Sequence, residues 1–273
     1  MNHLLREIAP MADVAWAAVD EEASEAAKAT LAGRRLVDFT GPLGWQAHAI
    51  DLGEVADVGD APFSDVRARQ RRALALVELR APFHVPREKL AALARGAKQT
   101  DLDEVAEAAR KIALAEDAIV FDGLASAGVE GILGASPHEP VALDADYERY
   151  PNAVAEAIVC LREAGVDGPF GIALGSRCHT GLTTTTSGGY PVMEHVRRIV
   201  DGPMVWAPGI DGACVLSMRG GDHELIVGQD LSVGFESADD DAVHLYLEES
   251  MTFRNLEPAA AVPLRYGSTS EDS

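Results

Sequence analysis

Residues able to do chemistry are spread along this chain instead of gathered. Eight histidines occur with no HExxH string and no closely spaced ligand set, so no metal site is expected. His195 follows Glu194, and His179 follows Cys178, but adjacent residues on a helix point apart. Cys160, Cys178 and Cys214 stand far apart without a CxxC spacing, which predicts three reduced, buried thiols. Glu116 and Asp117 could form an acid–base pair, yet their place inside a helical pattern makes salt bridging to another helix the expected role. There is no GxSxG, and the glycine-rich string at Gly123 follows a helix, whereas a dinucleotide fingerprint must follow a strand. No catalytic residue is nominated.

Two other patterns concern passage and contact. Thr183–Tyr190 reads TTTTSGGY, a small, uncharged, hydroxyl-rich loop before Pro191. Arg67, Arg69 and Arg71 alternate, which places them on one face of an extended segment. In a chain with 44 acidic and 23 basic residues, net charge −21, such a stripe calls for a partner. Salt bridges to an acidic neighbouring subunit are the expected use. The same charge balance repels polyanions, so nucleic-acid binding is disfavoured.

The elements that must position these residues can be read from periodicity. A helix is predicted from Asp13 to Leu31, with Asp13 as N-cap and an apolar stripe at Trp16, Val19, Ala23, Ala27 and Leu31. That stripe is rich in alanine, so the helix should dock shallowly and leave room for something to pack against it. Residues 45–83 look extended, folded into one long hairpin about the turn formers at Gly59–Pro62. Helices follow at Arg87–Arg95, at Asp101–Phe121 with Thr100 as N-cap, at Asn152–Ala164 and at Val192–Val200. From Gly212 the period drops to two. Arms Ala213–Met218 and Glu224–Val227 read as a hairpin joined by Arg219-Gly-Gly-Asp222, and Val243–Phe253 as a further strand. Helix runs followed by strand runs give an α+β class. No run of 18 apolar residues is present, and residues 1–20 carry charges and Pro10 where a signal peptide needs an apolar stretch. A cytoplasmic location is expected.

Several strings closely resemble the encapsulins, or linocin-type proteins. They are LLREIAPMADVAW near the start, GRRLVDFTGPLGW at Gly33–Trp45, GGYPVMEH from Gly188, APGIDGACVLSMRGGDHELIVGQDLSVGF, and LYLEESMTF. The resemblance runs from Leu4 to about Leu264, in the family's order. It implies the tailed-phage major capsid protein fold with a peripheral domain, an extended loop and an apical domain. The peripheral domain would take 1–45, 82–125 and 225–266, the extended hairpin loop 46–81, and the apical domain 126–224, with a disordered tail at 267–273. It further implies a non-enzymatic shell subunit of a type 1 encapsulin nanocompartment, a homo-oligomer of about sixty copies or a multiple closing with icosahedral symmetry.

By the same resemblance, Thr183, Thr184, Thr185, Thr186, Ser187, Gly188 and Gly189 would line a pore that selects by size and hydration. Leu31, Arg34, Asp38, Leu231, Val233 and Phe235 would hold the targeting peptide of a cargo protein: a ferritin-like protein or a dye-decolorizing-type peroxidase. Two departures stand out. Ala26 and Ala27 replace larger apolar residues, which predicts a wider groove. Arg87 stands where flavin-binding relatives have tryptophan, so no cofactor is expected. The competing readings are a phage or prophage capsid subunit and, more distantly, a soluble hydrolase or peptidase.

Overall fold

The computed structural model describes residues 3–59, 61–63 and 65–267. A short turn at Arg6–Ile8 precedes α1 (Asp13–Thr30), and a second turn at Gly33–Arg35 leads into β1 (Asp38–Thr40). β2 (Ala49–Asp57) and β3 (Arg69–Ala75) are followed by β4 (Val77–Pro86), α2 (Arg87–Ala94) and α3 (Asp103–Phe121). The pair β5 (Gly123–Leu124) and β6 (Val129–Glu130) precedes α4 (Ile132–Ala135), β7 (Val141–Leu143), α5 (Tyr150–Glu163), β8 (Phe170–Leu174) and α6 (Ser176–Thr184). Next come β9 (Thr186–Ser187), β10 (Tyr190–Pro191), α7 (Val192–Ile199), β11 (Met204–Trp206), β12 (Ala213–Ser217) and β13 (His223–Val227). β14 (Ser232–Ala238), β15 (Ala242–Asn255) and β16 (Ala261–Tyr266) are the last.

Two sheets organise these elements. In the first, β15 is the central strand: β4 runs antiparallel along one edge, while β13 and β14 share the other end to end, and β1 lies outside β13. The inward residues Val243, Leu245 and Leu247 of β15 are fully buried with Val85, Val105, Ala109 and Ile112, so α3 lies across this face. α1 packs on α3 through Ala15, Val19, Ala23 and Ala27, whose small side chains let the helices approach closely. The second sheet has the order β11-β8-β12-β16-β7, and its five-residue strands β8 and β12 are buried throughout. α5, α6 and α7 cover one of its faces. Its other face meets the end of α3, where Ile119, Val120 and Phe121 share a core with Cys214, Leu225 and Phe253. One long helix therefore joins both sheets. β2 and β3 form a separate ribbon with mostly exposed side chains.

Several expectations need correction. Ala213–Ser217 and His223–Val227 are not a hairpin, because they belong to different sheets. Gly220 and Gly221 both take left-handed φ (82° and 80°), and Arg219 clamps Asp222 through paired hydrogen bonds of 3.0–3.1 Å and 2.7 Å. This turn sends the chain across to a new sheet. Ala261–Tyr266, which the resemblance places in the peripheral domain with 225–260, pairs with β12 and β7 in the second sheet. Asp13 begins α1 instead of capping it, where its charge still suits the helix dipole. α3 starts at Asp103, with Asp101 and not Thr100 accepting from the Asp103 N–H at 3.0 Å. The expected tail lies, from 268 on, outside the described residues.

Candidate functional site

A groove of about 370 Å3 runs between α1 and the start of β14. Ala23, Ala27 and Leu31 form one wall, and Leu231, Val233 and Leu247 the other. The alanines explain the space: larger side chains at those positions would fill it. Arg6, Asp20, Lys28, Arg34 and Asp230 provide charge around the apolar floor, with Ser24 and Ser232 between them.

The end of α1 is fixed from below by α3. Asp117, fully buried, accepts from the Ala32 N–H at 2.9 Å and the Gly33 N–H at 2.7 Å. A Cβ at Gly33 would stand 3.2 Å from Asp117 Oδ1 and from Val120, so the turn sits tightly on α3. Burial pushes the Asp117 carboxyl up to about 7, against the pull of those N–H donors.

Arg34 then reaches into a carboxylate cluster. Its Nε lies 3.0 Å from both Glu116 oxygens, its Nη1 2.9 Å from Asp230, and its Nη2 contacts Glu116 at 2.7 Å and also Glu249. Glu116 and Glu249 are fully buried, and among the described residues Glu249 Oε2 has no hydrogen-bond partner. Burial, followed by the charge of Glu116, raises Glu249 to about 9, so it stays protonated at neutral pH. Burial opposes the Arg34 charge, but the surrounding carboxylates outweigh it and hold the guanidinium charged.

The structure brings Leu31, Arg34, Leu231 and Val233 together in the groove. Two other expected members stay outside its lining. Asp38 opens β1 and accepts from the Gly221 N–H, so it secures the crossover turn. Phe235 is turned into the core beneath, and its N–H donates to Leu4 O at 2.9 Å. Arg6, Asp20, Ser24, Lys28 and Asp230 were missed. Asp20, Ser24, Ala27, Lys28 and Leu31 follow helical spacing, so the stripe could have revealed three of these; Arg6 and Asp230 arrive from distant segments.

The TTTTSGGY string is part helix and part hairpin. Thr183 and Thr184 end α6 and donate their hydroxyls to His179 O at 2.7 Å and Thr180 O at 2.9 Å. Thr186–Ser187 pairs with Tyr190–Pro191 around Gly188 and Gly189, both at positive φ, and Ser187 Oγ donates to Glu148 at 3.1 Å. Along the ribbon, Arg67, Arg69 and Arg71 are exposed; Arg71 lies 3.5 Å from Asp51 and Arg72 3.1 Å from Glu54.

Cys178 and Cys214 are buried, whereas Cys160 is only half-buried; burial pushes the Cys214 thiol up to about 12. Among the described residues, no three His, Cys, Asp or Glu side chains are placed to hold a metal ion, and no helix is long and apolar enough to cross a membrane.

The chain matches over residues 1–252 a family described as encapsulating protein for peroxidase. It is 49% identical to a type 1 encapsulin shell protein of Rhodospirillum rubrum, covering 97% of each chain. It is 41% identical to one of Mycobacterium tuberculosis, covering 97% of this chain and 100% of that one. Among solved structures, a virus-like particle from Pyrococcus furiosus superposes with a TM-score of 0.64 at 17% identity, covering 90% of this chain and 98% of the other. A Gordonia phage structure superposes with a TM-score of 0.56 at 14% identity, covering 88% and 87%. The fold is that of tailed-phage major capsid proteins, and the extent of the sequence match shows that this chain belongs to the encapsulin family of shell proteins.

Proposed function

We propose that this chain is the non-enzymatic subunit of a cytoplasmic type 1 encapsulin nanocompartment. About sixty copies, or a multiple, would close with icosahedral symmetry around a cargo enzyme. The observation that carries the cargo reading is the groove: apolar walls at Leu31, Leu231 and Val233, with a charged rim at Arg34 and Asp230. Apolar anchors grip aliphatic side chains of an extended peptide, and fixed charges set its direction. The family description favours a peroxidase as cargo over a ferritin-like protein. In this reading Thr183–Gly189 edge a pore, and the β2–β3 ribbon, with Arg67, Arg69 and Arg71, lies on a second copy. The sheet built on β15 would be the peripheral part, and the sheet built on β12 the apical part.

The test has two stages. Light scattering and negative-stain microscopy of the purified chain should give hollow, uniform spheres of megadalton mass; a monomer or small ring would sink the container reading. Leu31→Asp should then leave the spheres intact and abolish cargo co-purification. Cargo retained at the wild-type ratio would remove the groove from the account.

A further inference from the structure

The outer face of the first sheet carries a pair of imidazoles that take no part in the groove. His84 of β4 and His244 of β15 stand directly opposite each other in the antiparallel ladder. Their neighbours Phe83, Val85, Val243 and Leu245 point into the core, so strand alternation turns both histidines to the other face. The two rings lie 6.0 Å apart between centroids, tilted by 43°. His84 is exposed, and the His244 side chain is 37% exposed. Behind His244 stands Asp239 of the β14–β15 turn, its Oδ2 2.8 Å from Nε2. The other oxygen, Oδ1, accepts from the Asp241 N–H at 2.9 Å and the Ala242 N–H at 2.8 Å. The carboxylate acts only as an acceptor, so neutral His244 carries its proton on Nε2 and keeps a free lone pair on Nδ1.

We propose that His84 and His244 together bind one late first-row divalent transition metal, copper(II) most tightly, with Asp239 orienting His244 from behind. Neutral imidazole suits copper, nickel and zinc, and affinity at a given site peaks at copper. A ligating histidine donates its second ring N–H to a carboxylate, which fixes the tautomer and makes the bound nitrogen more basic. The His244–Asp239 contact already has that form. With metal–nitrogen bonds of about 2.0 Å, two rings sharing an ion sit roughly 5 Å apart. Opposed residues of antiparallel strands have Cβ atoms about 5 Å apart, so turning the exposed His84 ring inward by about 1 Å closes the pair on an ion. Water completes the coordination, so two protein nitrogens suffice and no third side chain is required. The surroundings favour a cation. Asp239, Asp240 and Asp241 are exposed in the turn, while Arg80, two pairs along the same face, is held by Glu248. The site lies on the side of the sheet away from α3 and stands independently of the peptide-binding reading.

The test is equilibrium dialysis of the full chain against copper(II) chloride, with electron paramagnetic resonance of the bound ion. Wild type should hold one copper per chain more than the His84→Ala/His244→Ala double variant, and the spectrum of that extra ion should show two coupled nitrogens. Each single variant should weaken this binding by at least about 10-fold. Asp239→Asn keeps an Oδ1 acceptor for the turn but removes the charge behind His244, and should cost roughly 10-fold or more. His48→Ala, at an exposed histidine outside the pair, should change nothing. Zinc should occupy the same site more weakly than copper. Both rings lie outside the core, so the variants should unfold at the wild-type temperature without metal, and His84→Gln/His244→Gln repeats the comparison with side-chain bulk retained. Equal copper uptake by wild type and either double variant would overturn the site. A copper held by one nitrogen, or held at full affinity in His84→Ala, would overturn the sharing of the ion between the two strands.

Discussion

Arg34 and Arg71 both face carboxylates, but their side chains are 19% and 83% exposed. Beneath the groove, one guanidinium serves two carboxyl groups with no exposure at all, with Asp230 at the rim. Along the ribbon, Arg71 and Arg72 meet Asp51 and Glu54 one to one, in water. In the first setting the charges have lost their hydration, so each depends on the others being in place. In the second, solvent competes with every pair, and the contact adds little to the single chain. The cluster under α1 thus reads as a device for holding shape, and the ribbon as a surface whose charges remain available to another molecule.

The strongest way to break this contrast is Arg34→Met. It strands Glu116 beside Glu249 and frees Asp230, and should cost about 3–5 kcal/mol in denaturant unfolding. A loss under about 1 kcal/mol would show the cluster relaxes easily. Next in size is Glu249→Gln. A carboxyl raised from 4.5 to about 9 in the fold binds a proton that the unfolded chain releases, so it makes stability fall as pH rises from about 4.5 to about 9. Asp117, raised from 3.8 to about 7, acts in the same sense over its lower window. The glutamine variant should be about 1–2 kcal/mol more stable than wild type near pH 8, with a flatter pH profile. Thermal unfolding across pH 5–9 measures this, and an unchanged slope would mean that Glu249 ionises normally.

The smallest effect on the chain itself is expected for Arg71→Ala with Arg72→Ala: unfolding should shift by less than about 0.5 kcal/mol. Particle yield should nevertheless drop, and drop further at raised salt, if the ribbon binds a second copy. Full assembly with a normal salt response would confine both arginines to their in-chain partners.

How much was legible beforehand varied by element. Five helices were, within two residues at each end, because their apolar stripes repeat locally, whereas α6 (Ser176–Thr184) was not and its last two residues were read as loop. Leu31 and Arg34 followed from strings resembling a known family, and the alanine stripe announced the room that the groove occupies. The crossover at Arg219–Asp222 was misread because two alternating strands around Gly-Gly look alike whether they pair with each other or with different sheets. Asp38 and Phe235 sit near groove residues in sequence, but Asp38 secures the crossover turn, and Phe235, on the same face of β14 as Val233, lies one step further along it in the core.

Composition and period were enough for the class of elements and the acidic balance, and strings resembling a known family pointed to the family. They depend on short-range geometry and on strings conveyed whole. Which sheet each strand joins, and which three carboxyl groups surround Arg34, was decided only by tertiary structure. Glu116, Asp230 and Glu249 lie 82, 196 and 215 residues from Arg34. Contacts at such separations leave no periodic trace in the sequence, because they arise only when α3, β14 and β15 close on a common core.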